Sequence, residues 1–179
     1  DFTAKDAAAQ DPAQVGYAKG VPMGSDLGGA PAGKAPVFLV AASKDPIGGN
    51  LDRIQIVKGW LDASGKTHEE IYDVAWGDAN RRKPSANGKL PPVGNTVDLD
   101  TATFRNTIGD AELITVWQDP DFNASQAAFY YARVLEIPTP RWTLIQAVKA
   151  GVPPPDVVPL TGQERAWSSP IWYSPSAEA

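Results

Sequence analysis

Apolar and polar positions alternate with a period of two along much of the chain, and glycine and proline interrupt that alternation at short intervals. Leu51 to Leu61 sets Ile54, Ile56 and Trp60 on one side of an extended backbone and Arg53, Gln55 and Val57 on the other. Thr67 to Trp76 repeats the pattern, with His68, Glu70, Tyr72, Val74 and Trp76 on one side and Thr67, Glu69, Ile71, Asp73 and Ala75 on the other. Asp62-Ala63-Ser64-Gly65 lies between them, so the pair reads as a hairpin whose type I turn ends with Gly65 in the left-handed region and a bulge. Pro36 to Ser43 is apolar almost without a break, as a central strand would be, and Asp45-Pro46-Ile47-Gly48-Gly49 closes it.

Thr96 to Asn106 and Ala111 to Gln118 predict two further strands, joined by Thr107-Ile108-Gly109-Asp110. Ala127 to Ile137 could pattern either way, but its β-branched and aromatic residues, followed by Pro138 and Pro140, favour a strand. Trp142, Ile145, Ala147 and Val148 recur near helical spacing, which predicts a short helix over 141–150 stopped at Gly151. Glu164 to Tyr173 reads as a strand with Pro170 in its middle, hence an edge strand or a bulge. Residues 77–95 form a long polar loop with the Arg81-Arg82-Lys83 cluster, more simply a solvated charge run than a site. The first 35 residues, rich in Ala, Gly, Asp and Pro, read as an extended arm that needs another surface to order it. The expectation is a mainly β fold: an immunoglobulin-like β-sandwich of about seven strands over 36–179, with one short helix near 141–150 and an N-terminal arm over 1–35.

Composition narrows the chemistry. The 179 residues carry 16 basic and 21 acidic side chains, a net charge of -5 that argues against a nucleic-acid surface. With no Cys there is no disulfide frame or thiolate nucleophile, and one His cannot build a multi-histidine cage. No apolar run approaches the roughly 20 residues of a membrane span, and no signal-peptide pattern opens the chain. A start at Asp1 reads as a processed or excised piece.

Few residues are candidates for a site. His68 shares a strand face only with Glu70, a better surface pair than a metal site. Asp119 and Asp121, spaced i, i+2 in a loop, are weak candidates for metal oxygens, with turn formation the simpler role. Asp98 and Asp100 have the same spacing but fall within a predicted strand. Ser168 and Ser169 have no neighbouring His, and the glycine-rich stretches lack a phosphate-loop context. Six Trp remain. Trp60, Trp76 and Trp117 fit the core, whereas Trp167 and Trp172, on an edge element, fit an interface or a sugar-stacking platform.

Several blocks resemble a known family: Leu51 to Trp60, Lys66 to Glu69, Tyr72 to Trp76, Leu90 to Asp98, Phe129 to Trp142 and Glu164 to Tyr173. From about Val21 to Tyr173 the chain resembles the carboxyl-terminal region of the bacterial family catalogued as domain of unknown function 3604. The resemblance implies a larger bacterial protein, periplasmic or otherwise exported, whose amino-terminal part is similar to the PHP (polymerase and histidinol phosphatase) metal-dependent phosphoesterases. A divalent metal is implied for that part. Its His and Asp motifs are absent here, so the resemblance carries over no catalytic or metal residue. The implied role is that of a non-catalytic C-terminal accessory domain that packs on a PHP-like partner domain. Gly20 to Leu27 and Ala166 to Tyr173 are expected to line that interface, with Met23, Asp26, Trp167 and Trp172 in them and Arg133 and Arg165 beside aromatic residues as its candidates. A carbohydrate- or polymer-binding module is the first alternative. Metal-dependent hydrolysis by the chain itself is the second.

Overall fold

The alternating runs become strands. The computed structural model describes residues 1–28 and 33–175. Its elements are α1 (Ala4–Ala7), α2 (Pro12–Lys19), β1 (Asp26–Leu27), β2 (Val37–Ser43), β3 (Leu51–Leu61), β4 (Thr67–Trp76), β5 (Glu112–Gln118), β6 (Ala128–Glu136), β7 (Thr139–Pro140), α3 (Trp142–Ala150), β8 (Thr161–Gly162), β9 (Arg165–Trp167) and β10 (Ile171–Tyr173). The fold is mainly β. Six strands form one sheet in the order β1-β10-β6-β3-β4, with β9 also paired to β6. β2 and β5 form a separate antiparallel ribbon, and β7 and β8 form a short pair.

The hairpin β3–β4 follows its turn chemistry. The Gly65 N–H donates to the Asp62 carbonyl (2.9 Å) and Gly65 takes φ +79°, where a side chain would be strained. A bulge between Ile54 and Gln55 alters the expected alternation. Ile54 pairs with Ala75 and Gln55 with Asp73, so both Val74 and Ala75 pack towards the core and Trp76 leaves the face of Tyr72.

The ribbon lies against one face of the large sheet and makes the core. Phe38, buried in β2, meets the Tyr130 ring of β6 at 4.8 Å between centroids and packs with Ile56, Ala128 and Tyr173. A neighbouring cluster joins Leu51, Ile54 and Leu113. β9 and β10 occupy the same edge of β6 in succession. Between them Pro170 supplies no N–H. There the Ser168 N–H donates to the Ala132 carbonyl and the Ser168 hydroxyl accepts the Ala132 N–H, both at 2.9 Å. The last strand is therefore broken at its proline, and β1 flanks its second half.

The structure departs from expectation in four places. β2 is not a central strand, since it pairs only with β5 and its apolar residues are covered by packing of the ribbon on the large sheet rather than by strands on both sides. Arg82 of the charge run is buried, because its guanidinium pairs with the Asp52 carboxylate. The arm is not simply extended, because it holds two short helices built on caps rather than on apolar periodicity. The Thr3 N–H and hydroxyl donate to the Asp6 carboxylate at 2.7 and 2.9 Å, and the Asp11 carboxylate accepts the Gln14 N–H ahead of Pro12. The Lys19 ammonium, hydrogen-bonded to Asp6, and the Thr3 donors hold that carboxyl at about 2. Thr96 to Asn106 is not a strand. The Asp98 carboxylate accepts the N–H groups of Asp100 and Thr101, diverting them from a ladder, and a single bridge to Thr103 remains. The helix α3 ends where expected, with Gly151 at φ +65°.

Candidate functional site

The sheet face turned away from the ribbon gathers most of the interface candidates. Residues paired across neighbouring strands share a face, so the register defines rows. Asp26, Trp172, Phe129, Gly59 and Glu69 form one row across five strands, and Tyr131, Val57 and Ile71 form the next. Trp167, Arg133, Gln55 and Asp73 make a third, and Arg165, Leu135, Arg53 and Trp76 a fourth. Five of the six interface candidates, Asp26, Arg133, Arg165, Trp167 and Trp172, thus fall on one face. Met23 does not; it lies 64% exposed on the segment before β1, across the sheet edge.

Phe129 is the centre of an aromatic cluster. Its ring lies 5.3 Å from Trp172 and 6.3 Å from Tyr131, nearly parallel to the latter at 8°. Gly59 allows this arrangement, since a Cβ there would come within 2.3 Å of the Phe129 ring. The ring therefore lies over bare backbone of β3, and the platform stays flat. Trp167 and Trp172 remain 59% and 48% exposed, far more than core residues would.

One end of the platform is polar and well ordered. The Arg133 Nε donates to Gln55 Oε1 (2.8 Å), and Gln55 Nε2 donates to Asp73 Oδ1 (2.8 Å). Arg53 donates to Asp73 Oδ2 at 2.9 Å and to Asp52 Oδ2 at 3.2 Å. The terminal nitrogens of Arg133, and all of the Arg165 guanidinium, have no hydrogen-bond partner among the described residues. Two cations beside stacked rings suit an anionic or polar group carried on a flat surface.

Asp119 and Asp121 lie on the other side of the sheet, engaged with protein donors. Asp119 Oδ2 takes the Lys58 ammonium at 2.6 Å and the Tyr130 hydroxyl at 2.7 Å, and Oδ1 accepts the Asp121 N–H at 2.9 Å. The Tyr72 hydroxyl donates to Asp121 Oδ2 at 2.9 Å, and Lys58 also donates to the Asp121 carbonyl at 2.8 Å. Burial, reinforced by the hydrogen bond to the adjacent carboxylate, pushes both Tyr72 and Tyr130 well above the ordinary phenol range. No group of three or more His, Asp or Glu side chains placed to hold a metal occurs among the described residues. His68 stacks on Trp60 (5.2 Å, 15°), its Nε2 2.7 Å from Asp62, whose carboxyl is held well below the usual range chiefly by the Ser64 hydroxyl and then by His68.

Sequence reasoning missed three features of these faces: the Gly59 slot, the central role of Phe129 and the Lys58–Asp119 pair. Alternation does put Phe129, Tyr131 and Arg133 on one face. Nothing local to Gly59 signals that Phe129 will sit over it, nor does anything local to Lys58 signal Asp119.

The profile of a family described as a protein of unknown function, DUF3604, matches residues 1–175. No curated protein and no solved structure matches the chain.

Proposed function

Because the chain belongs to the DUF3604 family of proteins of unknown function, we propose that it serves as a C-terminal accessory domain of a larger exported protein, docking through its aromatic sheet face onto a catalytic part that resembles PHP-type metal-dependent phosphoesterases. In this reading the chain is an immunoglobulin-like sandwich that shapes its partner rather than reacting with substrate. The divalent metal belongs to the partner part. One observation carries the proposal: Asp26, Arg133, Arg165, Trp167 and Trp172 converge with Phe129 and Tyr131 on a face where both Trp stay about half exposed. Aromatic residues and arginine are the types enriched at the buried centres of protein interfaces, and half-buried Trp on a flat sheet is a ready anchor.

The test is association of the separately produced parts, measured by calorimetry. Trp172→Ala and Arg133→Glu are expected to weaken it by about 30-fold or more, the scale of an interface hot spot. Parts that do not associate, or that associate equally well with both variants, count against the proposal.

The near-parallel stacking of Phe129 and Tyr131 beside Trp172 favours one second reading, a carbohydrate- or polymer-binding platform. It predicts a change in Trp fluorescence on addition of a glycan that Trp172→Ala removes. An unchanged spectrum across a glycan panel excludes it.

A further inference from the structure

A cavity of about 730 Å³ lies between the ribbon and the large sheet, on the side of β2 away from β5. Its volume is in the range of ligand sites, roughly 300–1,000 Å³, and far above the voids of a packed core. Its far wall includes Ala132, Val134, Ala166 and Ile171 of the large sheet, and α2 and the segment before β1 rim it. Its near wall is unusual. Val37, Phe38, Leu39, Val40 and Ala41 all line it in succession. Side chains of a strand alternate between faces, so a cavity that touches every residue from Val37 to Ala41 meets the backbone along the strand's edge as well as one face.

The hydrogen-bond phase of β2 shows what that edge presents. β2 and β5 pair from Val37 with Gln118 to Ser43 with Glu112. In the same register, the Lys44 N–H bonds to Ala111 and the Asp119 N–H bonds to Pro36. In an antiparallel ladder, bonded pairs fall on every second residue. Phe38, Val40 and Ala42 therefore bond to β5 through their backbones and point their side chains to the core. Val37, Leu39, Ala41 and Ser43 turn their N–H and C=O groups to the open edge, and those groups have no protein partner among the described residues. Between Pro36 and Lys44 the edge is an uncharged run, Val-Phe-Leu-Val-Ala-Ala-Ser, with no Lys, Pro or bulge inside it to blunt the edge.

From this geometry we infer that β2 accepts an added strand: an extended segment of a partner polypeptide, with apolar residues at alternate positions, pairs with the open edge and fills the cavity. Its backbone would satisfy the row of groups at Val37, Leu39, Ala41 and Ser43. Its inward side chains would cover Ala132, Val134 and Ile171. An acyl chain could fill the same apolar volume but would leave that row without partners. A second copy pairing edge to edge would bring a whole ribbon against the rim formed by Tyr17 and Met23. The inference uses the open edge of β2; Tyr131 and Trp167 of the platform also border the cavity, but the inference does not rest on the docking proposed above.

Hydrogen exchange of the 179-residue chain, with and without a lysine-flanked peptide of alternating valine and threonine, tests it. The amides of Val37, Leu39, Ala41 and Ser43 are expected to exchange freely in the chain alone and to gain at least tenfold protection with the peptide. Ala41 is exposed and its N–H faces the open edge, so Ala41→Pro removes no ladder bond. That variant is expected to weaken peptide binding at least tenfold, and Ala41→Val is expected to preserve it. Ala166→Trp, on an exposed position of β9, narrows the cavity without touching β2 and is expected to weaken binding similarly. Trp172→Ala on the other face should leave it unchanged. Four results would overturn the inference: open-edge amides already protected in the chain alone, no protection by the peptide, peptide binding indifferent to Ala41→Pro, or concentration-dependent self-association that Ala41→Pro abolishes. Palmitate binding in the cavity without protection of these amides would do so as well.

Discussion

On the ribbon side of the six-stranded sheet, β3, β4 and β6 place Lys58, Tyr72 and Tyr130 among apolar neighbours, and every one of these polar groups meets a partner in the 119–121 loop. On the opposite side the same strands place Val57, Ile71, Phe129 and Tyr131, with Trp167 and Trp172 beside them and about half exposed. Both faces are rich in aromatic residues, so composition does not separate them. Completion does. The inner face has buried a cation and a carboxylate, which is tolerable only with matched donors and acceptors, and the outer face leaves large rings in contact with solvent.

Breaking the inner face should have the largest effect. Lys58→Met leaves the Asp119 carboxylate buried without its cation, and a loss of about 3–5 kcal/mol is expected in denaturant unfolding. A loss below about 1 kcal/mol would mean that water or another donor replaces the ammonium. Next is Gly59→Val, which drives a side chain into the Phe129 ring. It should cost about 1–3 kcal/mol and change the near-ultraviolet circular dichroism as the platform buckles. An unchanged spectrum would show that Phe129 does not rest on Gly59. Trp167→Ala, on the uncovered side, is expected to alter the stability of the chain by no more than about 0.5 kcal/mol, so any larger change would reveal a covered face.

The phenols come last, because their contribution does not change with pH near neutrality. The folded chain holds Tyr72 and Tyr130 above their unfolded value of about 10, so their contribution is fully present below about pH 10 and falls as the pH rises beyond it. Ultraviolet titration should accordingly find two of the five tyrosines un-ionised until the chain unfolds. All five ionising together near pH 10 in the folded chain would contradict the buried network.

The hairpin, the helix over 142–150 and the proline break in the last strand were legible because each rests on contacts within a few residues: Asp62 with Gly65, Gly151 behind the helix, Pro170 without an N–H. The helices of the first 19 residues escape a reading by apolar period because their signal lies in capping by Thr3 and Asp11. Thr96 to Asn106 misleads because its β-prone residues surround Asp98, whose carboxylate takes the N–H groups a strand needs. On the candidate face, Trp167 and Trp172 stand out in the sequence as tryptophans flanking a proline-broken edge. The bulge at Ile54, the ring over Gly59 and the Lys58–Asp119 pair depend on strand register between distant segments, which alternation within one segment does not specify.

The long loop after β4 is held at two places rather than along its length. The Arg82 guanidinium, buried, donates to the Asp52 carboxylate at 2.7 Å and to the Asp52, Gly77 and Pro91 carbonyls, and Leu90 and Val93 are buried on the returning limb. Residues 83–89 between these anchors are exposed, closed only by a turn in which the Ser85 N–H donates to the Lys89 carbonyl. A protease that cuts after Lys89 would therefore sever the chain without parting it: two bands under denaturing electrophoresis, one particle in solution, and a natural place to splice in a tag without disturbing either face of the sheet.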